Sequence, residues 1–320
     1  MKKSTILISV ACIIGLSYIA YRQNKQSAKT AEFSIGIIQT ASHPALDAAR
    51  DGFVSTLKNR LGDRVDFLLQ NAQGSIDTLQ VIAQRMHAKS TLTGFYAIAT
   101  PALQAIAGTV KKRPIVFAAV TDPNTLGLEN AANITGARDM IHVPKTIAMI
   151  QQLTPQVKTI ALLYTNAEEN SVVMVKEMRK ILEARGLAVL DVPIANQADI
   201  AVAVESACRK ADALLAPTDN NVAAAIDLIA SIALNNKKPL YVSDNLLVSH
   251  GALAARGIDY TQNGIQAANL MIDILLEGKN PRELSVEQPA SDKIYLNKNT
   301  LDKLGLIIPE NVKEHITLVD

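Results

Sequence analysis

The 320 residues carry 32 Lys and Arg against 30 Asp and Glu, a net charge of +2, and no basic run follows the first thirty residues, which disfavours nucleic acid as a partner. With 48% apolar residues the chain can bury core enough for two domains. Trp is absent and aromatic residues are few, while Ala, Ile, Leu and Val abound, a composition suited to parallel sheets covered by Ala-rich helices.

At the N-terminus Lys2 and Lys3 precede an apolar stretch over 6–21 and a polar linker over 22–30. This is the layout of an export signal or a short membrane anchor, so residues 1–30 are set apart from the fold and the rest is expected outside the cytoplasm. The segment before Cys12 departs from the lipoprotein pattern, with Ser9 where Leu is preferred. The other cysteine, Cys208, falls in a helical stretch as a small core residue, which leaves the exported part without an internal disulfide. The five His are scattered and show no metal-ligand spacing, so neither metal nor cofactor is expected.

From residue 33 onward strands and helices alternate. Strands are expected at 33–39, 65–70, 94–99, 114–119 and 132–136, with helices at 45–61 and 75–89 and one opened by Pro101. After Met140 the pattern restarts, with strands at 159–164, 187–192, 213–217 and 239–243. Helices there are expected at 145–153, 171–185, 200–210 and 222–235. A last stretch adds 251–259, a helix at 262–277 and a strand at 293–297. Repeated β-α-β order means an α/β fold of two doubly wound parallel-sheet lobes. The first lobe is expected over 31–139 with 251–283, the second over 140–250 with 284–320.

Ligands bind such sheets at the carboxyl ends of their strands, and the cleft between two lobes is a site by geometry. Two strands run into the same pair, Thr121-Asp122 and Thr218-Asp219, so the pairs are expected to face each other across the cleft. The other strand ends carry Gln39 and His43, Thr100, Asn170 and Ser171, and Asp244, with Asn220 after Asp219. These are neutral hydrogen-bonding groups and a few acids, an inventory that suits a small ligand bringing its own charges. An α-carboxylate fits hydroxyls and helix N-termini near Thr100 and Ser171, and an α-ammonium fits Asp219 or Asp122. Each residue could equally be a helix cap. No G-x-S-x-G elbow, Walker A loop or G-x-G-x-x-G is present, so no catalytic residue is assigned and a hydrolase or reductase is disfavoured.

The stretches GIIQTASHPALDAARDGF, ATPALQAIAG, PIVFAAVTDP, NITGARD, LLYTNAEENS, PTDNNV, GALAARGIDYTQNGIQAANLMIDILLEGKNP and YLNKNTLDKLGLIIPENV resemble the substrate-binding proteins of ABC transporters of the tryptophan/tyrosine type. The resemblance implies the type I periplasmic-binding fold, two lobes on a three-strand hinge that close around a ligand. It also implies a non-enzymatic, monomeric, extracytoplasmic protein that delivers an amino acid-like ligand, aromatic in the leading reading, to a membrane permease. Gln39, His43, Thr100, Thr121, Asp122, Asn170, Ser171, Asp219, Asn220 and Asp244 stand at the positions it places in the cleft. Stacking on an aromatic ligand would fall to Phe95, Tyr96, Phe117, Tyr164 or Tyr241, each of which also fits core packing. A sugar- or nucleoside-binding sensor of the same fold is the alternative, disfavoured by the scarcity of Arg at strand ends.

Overall fold

The structure is a computed structural model that describes residues 31–128, 131–287 and 293–320. The expected signal or anchor at 1–30, with Cys12, lies outside the described residues. Five parallel strands form the first sheet: β1 (Phe33–Gln39), β2 (Val65–Asn71), β3 (Gly94–Ile98), β4 (Ile115–Val120) and β5 (Ile134–Arg138), in the order β2-β1-β3-β4-β5. Their near-continuous apolar runs are what a sheet covered on both faces demands. The crossovers are α1 (Pro44–Leu61), α2 (Ile76–Ala88) and α3 (Thr100–Thr109). Pro44 presets the first turn of α1, and the Ser75 side chain accepts from Thr78 N to cap α2.

The second sheet has seven strands in the order β12-β11-β10-β9-β8-β6-β7. They are β6 (Thr159–Thr165), β7 (Ala188–Ile194), β8 (Ala213–Ala216), β9 (Leu240–Asp244), β10 (Ala254–Ile258), β11 (Ile294–Asn297) and β12 (Ile316–Val319). Among the described residues only the β10–β11 pairing of this sheet is antiparallel. Around it lie α4 (Val143–Leu153), α5 (Glu169–Ala184), α6 (Ile200–Lys210), α7 (Asn220–Ala224), α8 (Ile226–Asn235) and α10 (Lys298–Leu304). The single helix expected at 222–235 is broken at Ala225, and the start moves to Asn220 because Asp219 caps it.

The chain passes between the lobes after β5 and after β10, and Glu287 stands with the first sheet while β11 stands with the second. The expected division needs correcting at two points. Residues 251–258 do not return to the first lobe, because the apolar strand β10 finds its partner in β9 of the second sheet. The return is made by α9 (Tyr260–Glu277), which packs on α1. Two glycines permit that approach: a Cβ on Gly264 would lie 2.0 Å from Ala49 O, and one on Gly52 2.5 Å from Thr261 O. Residues 281–287 then stay beside β5, where Glu287 bridges to Ala137, beyond the expected boundary at 283. One apolar core runs through both lobes, and two further cores fill the outer faces of the sheets. Among the described residues no helix is long and apolar enough to cross a membrane.

A candidate ligand site between the lobes

The carboxyl ends of both sheets meet at a cavity of about 20 Å³, room for a single water rather than an amino acid. Its floor from the first lobe is small and apolar, with Ala45, Leu46 and Ala119. Ala119 lies at φ 57 and Ala99, at the end of β3, at φ 79, backbone conformations that favour glycine and that strain an alanine. The N–H of Ala119 is held by Asn263 Oδ1 at 2.8 Å, so α9 fixes the strand end that faces the cavity. The polar wall is acidic. Asp139, Asp219 and Asp244 line it, and neither Lys nor Arg does.

Asp219 is bound by its own lobe. Thr165 N and Ser171 Oγ donate to Oδ2 at 2.5 and 2.7 Å, and Thr165 Oγ1 and Val222 N donate to Oδ1 at 3.0 and 2.9 Å. Four donors occupy the roughly four acceptor sites of a carboxylate, which leaves little for an ammonium. Asp244 is the opposite case. Its Oδ1 accepts from Leu246 N at 2.9 Å while Oδ2 is buried without a partner. Burial pushes its carboxyl up to about 7, against the Leu246 bond and with the help of the Asp139 charge.

Asp139 follows β5 at the first hinge passage. It accepts from Thr121 Oγ1 at 3.0 Å and from the Tyr260 hydroxyl at 2.8 Å. Burial nonetheless lifts it to about 6, the two hydroxyl bonds opposing. Tyr260 opens α9 at the second passage and lines the cavity, so hinge and site share a hydrogen bond. Burial, then the charges of Asp139 and Asp244, raise its phenol well above the usual value.

His43, the residue before α1, crosses the cleft: its Nε2 is 3.3 Å from Asn220 Oδ1 in the second lobe. Its Nδ1 is buried with no partner, and burial pulls the ring down to about 4, so it is neutral at physiological pH. Asn170 Nδ2 donates to Thr218 O at 2.8 Å, and its Oδ1 is likewise bare. Glu168 sits just behind this wall, its carboxylate receiving Asn220 and Asn221.

Of the ten residues picked from the sequence, the cavity brings together His43, Asn170, Asp219, Asn220 and Asp244. The other five are outside its wall. Gln39 donates to Ala41 O and to Asp47 Oδ1, and Ser171 supports Asp219. Thr121 supports Asp139, and Thr100 has a buried hydroxyl without a partner at the head of α3. Asp122 accepts from Asn124 N and caps the turn at Pro123–Leu126, so of the two Thr-Asp pairs only the second reaches the cavity. The aromatic candidates are elsewhere. Phe53 and Tyr96 stack in the core at 3.7 Å, Tyr241 bonds Thr154, and the cavity's ring is Tyr260. Sequence reasoning missed Asp139, Glu168 and Tyr260, all in stretches it had quoted; an acid directly after a buried strand was the signal available for Asp139. Among the described residues no group of His, Cys, Asp and Glu could hold a metal ion.

Residues 34–319 match the model of the family described as ABC transporter substrate binding protein. The chain is 32% identical to a tyrosine-binding protein of Clostridioides difficile, over 97% of this chain and 95% of that one. The ABC domain of Streptococcus pneumoniae solved in complex with L-Trp superposes with a TM-score of 0.85 at 30% identity, covering 90% of this chain and 99% of that one. The ligand-free, open structure of CD0873 from Clostridium difficile, a substrate-binding protein with adhesive properties, covers the same shares at 32% identity but reaches a TM-score of only 0.66. The fold is that of the periplasmic binding proteins, and the chain belongs to the family of ABC transporter substrate-binding proteins, which are solute binders rather than enzymes.

Proposed function

We propose that this protein is the exported solute-binding component of an ABC importer, and that it captures an α-amino acid with an aromatic side chain and hands it to a membrane permease. The observation that carries the reading is the wall itself: acids and bare acceptors without a basic side chain. Asp244 Oδ2, Asn170 Oδ1 and His43 Nδ1 are buried oxygens and nitrogen with no partner, a set that an ammonium with three donors satisfies. Thr100 stands outside the wall of the closed cavity, but its bare hydroxyl beside the first-turn N–H groups of α3 is the counterpart we assign to the ligand carboxylate once the lobes part. The small side chains of Ala45, Ala119 and Ala223 leave space for a large ligand group once the lobes separate. The ligands named for two relatives, tyrosine and L-Trp, agree with this choice. Residues 1–30 supply the export signal or anchor, and the protein works as a monomer.

A thermal-shift panel of amino acids, sugars and nucleosides, followed by calorimetry, tests the proposal. A ligand at a hundred times its Kd adds about 2.7 kcal/mol to stability, which the panel detects readily. Stabilisation by L-Tyr, L-Trp or L-Phe is expected. Stabilisation by a sugar or nucleoside and by no amino acid would overturn it.

A further inference from the structure

Glu168 is buried at 3% exposure, yet it lies outside the cavity wall and touches it only through its neighbours. Its Oε2 accepts from Asn220 N at 3.1 Å, Asn220 Nδ2 at 2.5 Å and Asn170 Nδ2 at 3.3 Å. Its Oε1 accepts from Asn221 N at 3.2 Å and Asn221 Nδ2 at 3.1 Å. Burial and then the Asp219 charge push the Glu168 carboxyl up to about 8, against its bonds from Asn220 and Asn170. The two backbone N–H groups cannot reverse, so each oxygen accepts a bond in either protonation state, and in the ionised form both oxygens are committed as acceptors only. That commitment orients both amides, nitrogens towards Glu168 and oxygens away from it.

Away from Glu168 is the first lobe. Asn220 Oδ1 meets His43 Nε2 at 3.3 Å. Asn221 Oδ1 faces Gly74, where a Cβ would stand 2.9 Å from it, on a backbone at φ +80 that also favours glycine. Since Asn220 Oδ1 only accepts, His43 must carry its ring proton on Nε2. A neutral ring then has its lone pair on Nδ1, the atom that is buried without a partner. The side chain behind the wall therefore decides what the wall presents.

We propose that Glu168 is a positioning residue for lobe closure: by holding the Asn220 and Asn221 amides it turns two carbonyl oxygens onto the first lobe, where His43 donates to one and Gly74 makes room for the other. The contact is built from the chain alone, so a closed population exists before any ligand arrives. The inference rests on the proposed function in one respect, that His43 Nδ1 faces the ligand; there it selects a donor such as an ammonium and rejects a carboxylate.

The test uses the full-length chain without added ligand. Single-molecule energy transfer between dyes at the exposed positions Lys112 and Asn235, one on each lobe, reads the closed fraction. Nitrogen-15 spectra of the His43 ring read its tautomer. The wild type is expected to show a closed population with the proton on Nε2. Glu168→Gln puts an amide N–H where an acceptor is needed; it should lower the ratio of closed to open molecules about fivefold, the worth of one ordinary hydrogen bond, and free the His43 proton to move to Nδ1. Asn220→Ala keeps Glu168 and should lower the ratio by a similar factor, which decides the matter should Glu168→Gln not fold. An exclusively open wild type, a wild-type ring protonated on Nδ1, or variants with an unaltered ratio would each overturn the proposal. No readout needs an amino acid to bind, so failure of the proposed function is a separate result.

Discussion

Thr165 grips Asp219 at both carboxylate oxygens, through its backbone N–H at 2.5 Å and its hydroxyl at 3.0 Å, and so ties the end of β6 to the head of α7. With Ser171 and Val222 on the same carboxylate, Asp219 is engaged before any ligand arrives. Asp219→Asn replaces an acceptor by an amide N–H facing donors, which should cost on the order of 2–3 kcal/mol of stability. Calorimetry should find ligand affinity within a few-fold of the wild type, with a lower melting temperature. An affinity loss above a hundredfold would instead put the ligand's ammonium on Asp219.

Asp244 should respond in the opposite sense. Its bare Oδ2 and the nearby Asp139 charge make it a burden on the empty protein, while Asn at this position keeps the acceptor for Leu246 N. Asp244→Asn is therefore expected to melt no lower than the wild type at pH 7. Loss of one partner of a buried charged pair costs on the order of 3–5 kcal/mol, so amino acid binding should weaken by over a hundredfold. Wild-type affinity in this variant would place the ammonium elsewhere.

Closure follows from the size of the site. The ligand-free cavity of about 20 Å³ has room for a single water, so an amino acid is expected to enter with the lobes apart and to hold them closed around it. Small-angle scattering should show a smaller radius of gyration at saturating amino acid than without it. Identical profiles in the two conditions would refute hinge closure.

Much of this architecture was legible in the chain. Buried strands such as 159–165 and 213–216 carry continuous apolar runs, 160–163 in the first and the whole of the second, so their existence and order follow from pattern alone. The hinge was less legible. The strand at 254–258 looks the same whichever sheet receives it, and only its pairing with β9 decides. Five of the ten site residues reached the cavity wall because they sit at strand ends or helix heads, where the fold points side chains inward. Gln39 and Asp122 occupy equivalent places and turn instead to Asp47 and Asn124, a choice made by local partners. Glu168 and Tyr260 were invisible for a different reason: their roles depend on residues 52 and 121 positions away, Asn220 and Asp139.

The N-terminal segment yields a simple expectation. The first strand begins at Phe33, and Glu32, paired with Arg64 at the surface, is the earliest of the described residues with a side-chain bond into the fold. A chain beginning at Thr30 should melt and bind as the full-length protein does. If it fails to fold, the preceding residues belong to the domain and the export reading is lost.

The final prediction concerns pH. Asp139 and Asp244 have an ordinary value of 3.8 and are held at about 6 and about 7 in the folded chain, chiefly by burial. Asp139 is faced by Thr121 and Tyr260, and Asp244 by Leu246 N and by Asp139 itself. As pH rises from about 4, the unfolded chain releases both protons first and the folded chain retains them. Glu168, pushed up to about 8 by burial and then the Asp219 charge, acts in the same sense, while His43, pulled down to about 4, opposes them. The three acids outweigh the one ring, so the stability of the empty protein should fall between about pH 4 and pH 8 and level off above. An ammonium beside Asp244 reverses the balance by favouring the carboxylate. Binding at pH 6 should therefore release protons, and affinity should rise with pH until about 7. Calorimetry at pH 6 in buffers of different ionisation enthalpy measures the release directly. Proton uptake on binding, or none, would show that the ligand's cationic group does not meet these acids.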